Sequence, residues 1–208
     1  MKRHTQMKLC HSQSSPFVRK VKLAAYVLGF ANELELIETN TMNAEDPIRS
    51  VNPLGKIPAL EDGGTIFYDS RVIIEHLDAK AGGGKIIPAA GAARFETLTR
   101  AALMDGILDA AILVVYEGRM RPADKYVESF VTYQREKIRR GLEVAAASSP
   151  QYRKGTMPDA GEIALACVLD YLDFRQQLNW RDHAANLQDW IADFGAAVPG
   201  YHETMPPA

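Results

Sequence analysis

Three serines and a proline crowd together near the start of this chain, in Ser12-Gln13-Ser14-Ser15-Pro16, directly after the short apolar run Met7-Lys8-Leu9-Cys10. A strand that ends in hydroxyl residues and re-enters a helix at a proline leaves a side-chain hydroxyl at a helix N-terminus. Unpaired backbone N–H groups and the positive end of the macrodipole lie there, so the position favours an anion. Pro16 suits the first helical position, since its missing N–H costs nothing there and its φ is already helical. Phe17, Val21, Ala24, Ala25 and Leu28 then fall on one helical face, with Gly29 placed as a C-cap. From these residues alone Ser15 is either a plain N-cap or part of an anion site, and Ser14 and Ser12 share its loop.

Other chemistry-bearing residues are fewer. Asp69-Ser70 sets a carboxylate and a hydroxyl at the start of another helix. Asp105 and Asp109 stand four apart on an otherwise apolar helix, beside Met104, Ile107 and Leu108, which suggests a cleft or an interface more than open solvent. His4, His11, His76, His183 and His202 are scattered without carboxylates at a suggestive spacing, and His76 reads as structural. Cys10 and Cys167 form no CxxC pair and no metal-ligand spacing appears, so neither a disulfide framework nor a metal site is expected. Cys10 reads as buried at the end of a strand and Cys167 as core.

The elements that must position these groups divide the chain in two. Residues 8–11, 34–38 and 57–60 read as strands, and Glu61-Asp62-Gly63-Gly64 turns into Ile66-Phe67-Tyr68 as a hairpin. With helices at 16–29 and from Asp69-Ser70, the latter with Val72, Ile73, Ile74 and Leu77 inward, the order is βαβ then ββα. Residues 40–50 read as loop or short helix. The predicted sheet has a parallel pair with a right-handed crossover and an antiparallel edge. Gly82-Gly83-Gly84 through Pro88 reads as a linker. Beyond it the period-2 signal disappears. Helices are predicted over 92–118, from Pro122 to about Ala147 with a stop at Ser148-Ser149-Pro150, from Asp159, and near 187–195. Asp159 and Glu162 make a capping box before a buried helix. The last four residues read as irregular.

At 208 residues, 47% hydrophobic and 24% charged, the chain can bury a substantial core. A net charge of −2 gives no reason to expect nucleic acid or an anionic membrane as partner. Arg19, Lys20 and Lys22 read as a solvated helix face. No apolar run approaches a membrane span, and residues 1–6 are basic without an apolar core, unlike a signal peptide. Met7 stands as an alternative start.

Ser14-Ser15-Pro16-Phe17, Asn52-Pro53-Leu54-Gly55-Lys56-Ile57-Pro58-Ala59-Leu60 and Phe67-Tyr68-Asp69-Ser70-Arg71 match, in order and spacing, the N-terminal domain of the cytosolic glutathione S-transferases. In the second half Ala102–Ala110, Gln134–Ile138 and Ile163–Cys167 resemble the helical domain of bacterial serine-type members. The resemblance implies an α/β thioredoxin-like domain over residues 7–80, a linker over 81–91 and an all-helical domain over 92–208. It implies a cytoplasmic homodimer that conjugates glutathione to small hydrophobic electrophiles, with glutathione as co-substrate and no metal. The alternatives are a non-catalytic glutathione- or protein-binding module, and a thiol–disulfide enzyme. Members of the last kind carry cysteine immediately before the proline, where this chain has Ser15.

The same resemblance assigns roles. Ser15 becomes the hydroxyl that stabilises the glutathione thiolate. Lowering the thiol pKa by about two units needs ~2.7 kcal/mol, which a charge-assisted hydrogen bond and a helix terminus supply together. Ile57-Pro58 becomes a cis peptide whose Ile57 N–H and C=O pair with the cysteinyl backbone of glutathione. Ser70 and the helix N–H groups take the γ-glutamyl carboxylate, and Asp69, where many members carry Glu or Gln, takes the ammonium. Lys56 resembles a position that contacts the glycyl carboxylate in some classes. Asp105 or Asp109 resembles an aspartate that reaches the partner subunit's glutathione, and Met104, Leu108 and Tyr116 are candidates for the electrophile pocket. The family's Ser/Thr-x-x-Asp box is here Asp159-x-x-Glu162.

Overall fold

Strand β1 (Met7–His11) lies inside a four-stranded sheet of order β2-β1-β3-β4 in the computed structural model of the protein, which describes residues 6–149 and 152–206. It pairs in parallel with β2 (Leu34–Glu38), Leu9 opposite Leu36, and antiparallel with β3 (Ala59–Asp62), Cys10 opposite Ala59. β4 (Thr65–Phe67) completes the antiparallel edge, Phe67 opposite Leu60. Helices α1 (Pro16–Leu28), α2 (Ile48–Val51) and α3 (Ser70–Lys80) complete the βαβ–ββα order. The Gly63-Gly64 turn has φ of 59° and 84°, the pair of positive values that a two-residue hairpin turn requires. β3 starts at Ala59 rather than Ile57, since Pro58 has no N–H to give the ladder. The chain divides into two units, one holding residues up to Ala90 with the segment from Pro199, the other Gly91–Val198.

In the first unit α1 runs to the C-cap Gly29 as expected, but its buried face differs. Val18, Val21, Leu23, Ala24 and Ala25 are buried, whereas Phe17 and Leu28 are half-buried. Arg19 and Lys20 are 4% and 2% exposed, which overturns the solvated basic face. The Arg19 guanidinium lies 5.1 Å from the centre of the Tyr201 ring and 3.1 Å from Met205 Sδ, and Lys20 Nζ stands over Phe17. Long basic side chains cover aromatic surface with their stems and rest their charge on the ring face. In α3, Ile73, Ile74 and Leu77 point inward, but Val72 is 48% exposed because it lies off the 73/77 stripe.

Carboxylates tie this unit together. Asp62, at the hairpin turn, accepts from His76 Nε2 at 2.8 Å and Lys80 Nζ at 2.7 Å, pinning β3 to α3. His76 also stacks on Phe67 at 4.0 Å, so it is structural as expected. No sequence spacing pointed to carboxylate partners for the histidines, yet His76 meets Asp62 and His11 meets Glu38, its Nε2 3.0 Å from the carboxylate. The first pair joins α3 to β3 and the second joins β1 to β2, so neither lies along one element. Asp78 accepts the N–H groups of Gly84, Lys85 and Ile86, fixing the glycine-rich stretch while Ile86 and Ile87 are buried.

The second unit is helical: α4 (Gly91–Met120), α5 (Glu128–Ser148), α6 (Ala160–Arg175), α7 (Arg181–Ala184) and α8 (Leu187–Ala197). α4 packs on α5 and α6. At Gly141 any Cβ would sit 2.6 Å from Ile107 Cγ1, so the glycine lets α5 approach α4 closely. A helix from Pro122 was expected, but a short 3₁₀ turn at Ala123–Lys125 comes first and α5 opens at Glu128. Buried Glu117 accepts the Val127 N–H at 3.0 Å and Arg121 Nε, holding that corner. The Asp159–Glu162 capping box forms, with Arg100 on the other Asp159 oxygen, and Cys167 is core. α7 was not expected, because four residues show no period. His4, Pro150, Pro207 and Ala208, and most of the 1–6 segment, lie outside the described residues.

Burial works to raise the Asp62 pKa, but the hydrogen bonds and charges of Lys80 and His76 outweigh it and hold the carboxyl below its ordinary value. A depressed carboxyl stabilises the fold above the unfolded value of about 3.9, and that stabilisation is lost as pH falls through the folded value. Thermal melts of the wild type will therefore fall more steeply below about pH 4 than those of Asp62→Asn, which starts less stable at pH 7. Parallel curves would refute this role.

Candidate functional site

The strand directions bring three loops to one edge of the sheet. β1 runs toward Ser12–Ser15. β3, antiparallel to it, begins beside Cys10, so Ile57 and Pro58 enter at that same edge. β4 returns along β3 and ends at Phe67, opposite Leu60, delivering Asp69 and Ser70 there too. The N-termini of α1 and α3 both open at this edge, and the two helices pack against each other.

Ser15 is the N-cap of α1: its Oγ accepts the Val18 N–H at 3.3 Å, and its own N–H donates to the Ser12 carbonyl at 3.1 Å. A hydroxyl has one donor and two acceptor positions. The capping bond uses an acceptor, and among the described residues the hydroxyl proton has no partner. The Ser12 and Ser14 hydroxyls lie 3.4 Å apart, within reach of each other.

The Ile57–Pro58 peptide is cis, as the resemblance implies. The Ile57 side chain packs on Cys10, Ile48 and Ala59, so it contributes to a small core. Its backbone N–H and C=O have no protein partner among the described residues. Asn52, 2% exposed, shapes the loop leading there: its Nδ2 donates to the Lys56 carbonyl at 2.9 Å and its Oδ1 accepts the Leu54 N–H at 3.0 Å. The role of Asn52 is not evident from the sequence motif in which it stands. The Asn-Pro-Leu-Gly turn chemistry was the available signal. Lys56 itself is exposed.

Asp69 is the N-cap of α3, with Oδ1 accepting the Arg71 N–H at 3.0 Å, and the Tyr68–Asp69 peptide is cis. Ser70 follows at 2% exposure, and its hydroxyl has no hydrogen bond among the described residues. The edge thus offers two helix N-termini, two hydroxyls, one exposed carboxylate and a free backbone pair. That set suits a zwitterionic peptide with an anionic centre.

Cys10 is 9% exposed and faces the Ile48–Ala59 core. Burial pushes its thiol above the ordinary value, against a hydrogen bond with Thr39. In the helical unit Asp105 is 1% exposed while Asp109 is exposed, so α4 divides the two between interior and surface. Met104 and Leu108 are core, and Tyr116 is 38% exposed. Among the described residues no group of His, Cys, Asp or Glu could hold a metal ion.

Residues 9–85 match the family model described as glutathione S-transferase, N-terminal domain. The uncharacterized GST-like protein YibF of Escherichia coli K12 is 34% identical over 175 residues, covering 82% of this chain and 84% of its own length. A glutathione transferase family member from Pseudomonas fluorescens Pf-5, solved with bound glutathione, is 39% identical with a TM-score of 0.85. That match covers 97% of this chain and all of the other. A glutathione S-transferase from Methylobacillus flagellatus KT, solved with glutathione, is 32% identical over the same share of this chain, also with a TM-score of 0.85. A thioredoxin-like sheet followed by a helical domain is common to them, and this chain belongs to the glutathione S-transferase family.

Proposed function

We propose that this protein is a serine-type glutathione transferase that binds glutathione at the loop edge of its sheet and joins the thiolate to small hydrophobic electrophiles. The carrying observation is the set of groups at that edge that have no hydrogen-bond partner among the described residues: the Ser15 hydroxyl proton, the Ile57 N–H and C=O, and the Ser70 hydroxyl. Glutathione in the Pseudomonas and Methylobacillus relatives supports the choice of ligand. In this reading Ile57 pairs with the cysteinyl backbone, Ser70 and the α3 N–H groups take the γ-glutamyl carboxylate, and Asp69 takes the ammonium through the oxygen not used in capping. The thiolate then lies at the α1 N-terminus, accepting from the Ser15 hydroxyl. The chain works as a cytoplasmic homodimer with a detoxifying role, and of the two α4 aspartates it is the exposed Asp109, not the buried Asp105, that extends toward the partner's glutathione.

A buried, protonated Cys10 argues against the thiol–disulfide alternative, because the thiolate is the attacking species. Cys10 and Cys167 should resist a thiol reagent in the native protein and react on unfolding, and Cys10→Ala should keep conjugating activity. Fast native labelling of Cys10 coupled to loss of activity would reverse the assignment.

Ser15→Ala should slow conjugation of a model electrophile by roughly 10- to 1000-fold with little change in glutathione affinity. It should also raise the inflection of rate against pH, which lies about one to two units below a free thiol near 8.5 in the wild type. Since alanine also removes a cap worth about 1 kcal/mol, Ser15→Gly, which keeps most capping stability, should lose the same activity. Wild-type turnover in either variant would move the role to Ser14 or Ser12.

Ser70→Ala should weaken glutathione binding, measured by calorimetry, by about 5- to 50-fold while leaving the inflection where it was. Unchanged affinity would remove the γ-glutamyl end from α3. Tight binding by the wild type with an unshifted thiol and no turnover across an electrophile panel would leave a binding module.

A further inference from the structure

His11 closes β1 and immediately precedes the loop that ends in Ser15. It is 6% exposed, and its Nε2 lies 3.0 Å from Glu38 Oε2 across the β1–β2 pair, where the two residues are in register. Its carbonyl accepts the Thr39 N–H at 2.9 Å, so both backbone and side chain bind this end of β1 to the end of β2. The next residue, Ser12, gives its carbonyl to the Ser15 N–H. Two short steps therefore link the imidazole to the hydroxyl proposed to hold the thiolate.

The surroundings fix the tautomer. A carboxylate only accepts, so Nε2 carries the proton and Nδ1 keeps its lone pair. Nδ1 is buried and, among the described residues, has no hydrogen-bond partner. Protonating it would create a buried N–H without an acceptor, which costs more than an acceptor nitrogen left without a donor. The charged groups that bear on the ring are Glu38 from β2 and Lys22 from α1. Burial lowers the imidazole pKa, Glu38 opposes, and Lys22 adds to the lowering.

We infer that His11 is a positioning residue for Ser15: its neutral, Nε2-protonated imidazole, bonded to Glu38, anchors the 12–15 loop, and acid loosens that anchor. The inference rests on the role of Ser15 proposed above. Because the folded imidazole holds its proton less tightly than the unfolded one, the stabilisation is fully present above about pH 6.5 and declines as pH falls below it. His11→Gln keeps an N–H for Glu38 but cannot titrate. His11→Phe fills the space without a donor, and Glu38→Ala removes the acceptor at an exposed position where folding is not at risk.

Hydrogen exchange at the Ser15 and Val18 amides, which close the loop and the first turn, reads the anchor without any turnover. Between pH 7.5 and 5.5 the wild type should lose protection at both relative to His11→Gln at the same pH, and His11→Phe and Glu38→Ala should lack it throughout. The His11 ring proton should titrate with an inflection below 6.5. In conjugation assays His11→Phe and Glu38→Ala should lower kcat about tenfold with KM for glutathione nearly unchanged, and raise the thiol inflection, while His11→Gln restores both. Wild-type protection that matches His11→Gln at every pH, an inflection at or above 6.5, or an unshifted thiol in His11→Phe and Glu38→Ala would overturn the inference. A wild type without turnover refutes the transferase reading instead, and the exchange and titration results still decide the anchor.

Discussion

The site depends on the double pairing of β1. Its parallel partner needs a crossover helix, which starts α1 at the end of β1, and its antiparallel partner needs the opposite direction, which starts β3 at that same edge. The tight Gly63-Gly64 hairpin then returns β4 to the edge and launches α3 there. Two helix N-termini and one strand entrance converge because of strand direction alone. A slip of one residue between β1 and β3 would turn Leu9 and Leu60 out of the core, so burial of those side chains protects the alignment of the loops.

Much of this was legible because the decisive signals are local. The Pro16 start and Gly29 stop of α1, the Gly-Gly turn and the Asp159–Glu162 box each lie within a few residues of what they determine. What was misread depends on distant chain. Arg19 and Lys20 look like a solvated pair in an 18-residue window, yet Tyr201 and Met205 lie about 180 positions away in sequence and cover Arg19. The His11–Glu38 and His76–Asp62 pairs likewise join separate elements. The site motifs were readable as motifs. The Asn52 side chain that folds the loop before Ile57, and the orphan Nδ1 of His11, leave no spacing pattern to find.

Charge is sparse at this edge. The nearest thiol, Cys10, is held neutral by apolar packing, and burial together with Lys22 favours the neutral form of the nearest imidazole, His11, against the pull of Glu38. Partial charges of backbone N–H groups and hydroxyls dominate instead. Such dipoles are fixed by the fold and need no reorganisation when an anion arrives, unlike a mobile lysine head group. In the proposed role this would help keep a thiolate reactive, since a full ion pair would stabilise the anion more and make it a poorer nucleophile.

Ser15 joins the local and global parts of the design in one atom. Its oxygen accepts the Val18 N–H and so caps α1, which leaves the hydroxyl proton available as a donor at the helix end. Alanine at this position would offer neither the capping acceptor nor a donor, and cysteine would exchange a strong donor for a weak one while adding a reactive thiol of its own. In the proposed role capping and activation share one oxygen: the bond that fixes the helix terminus also holds the hydroxyl at that terminus. Positioning of Ser15 then becomes a matter of how firmly the 12–15 loop is held at its other end, where β1 stops at His11.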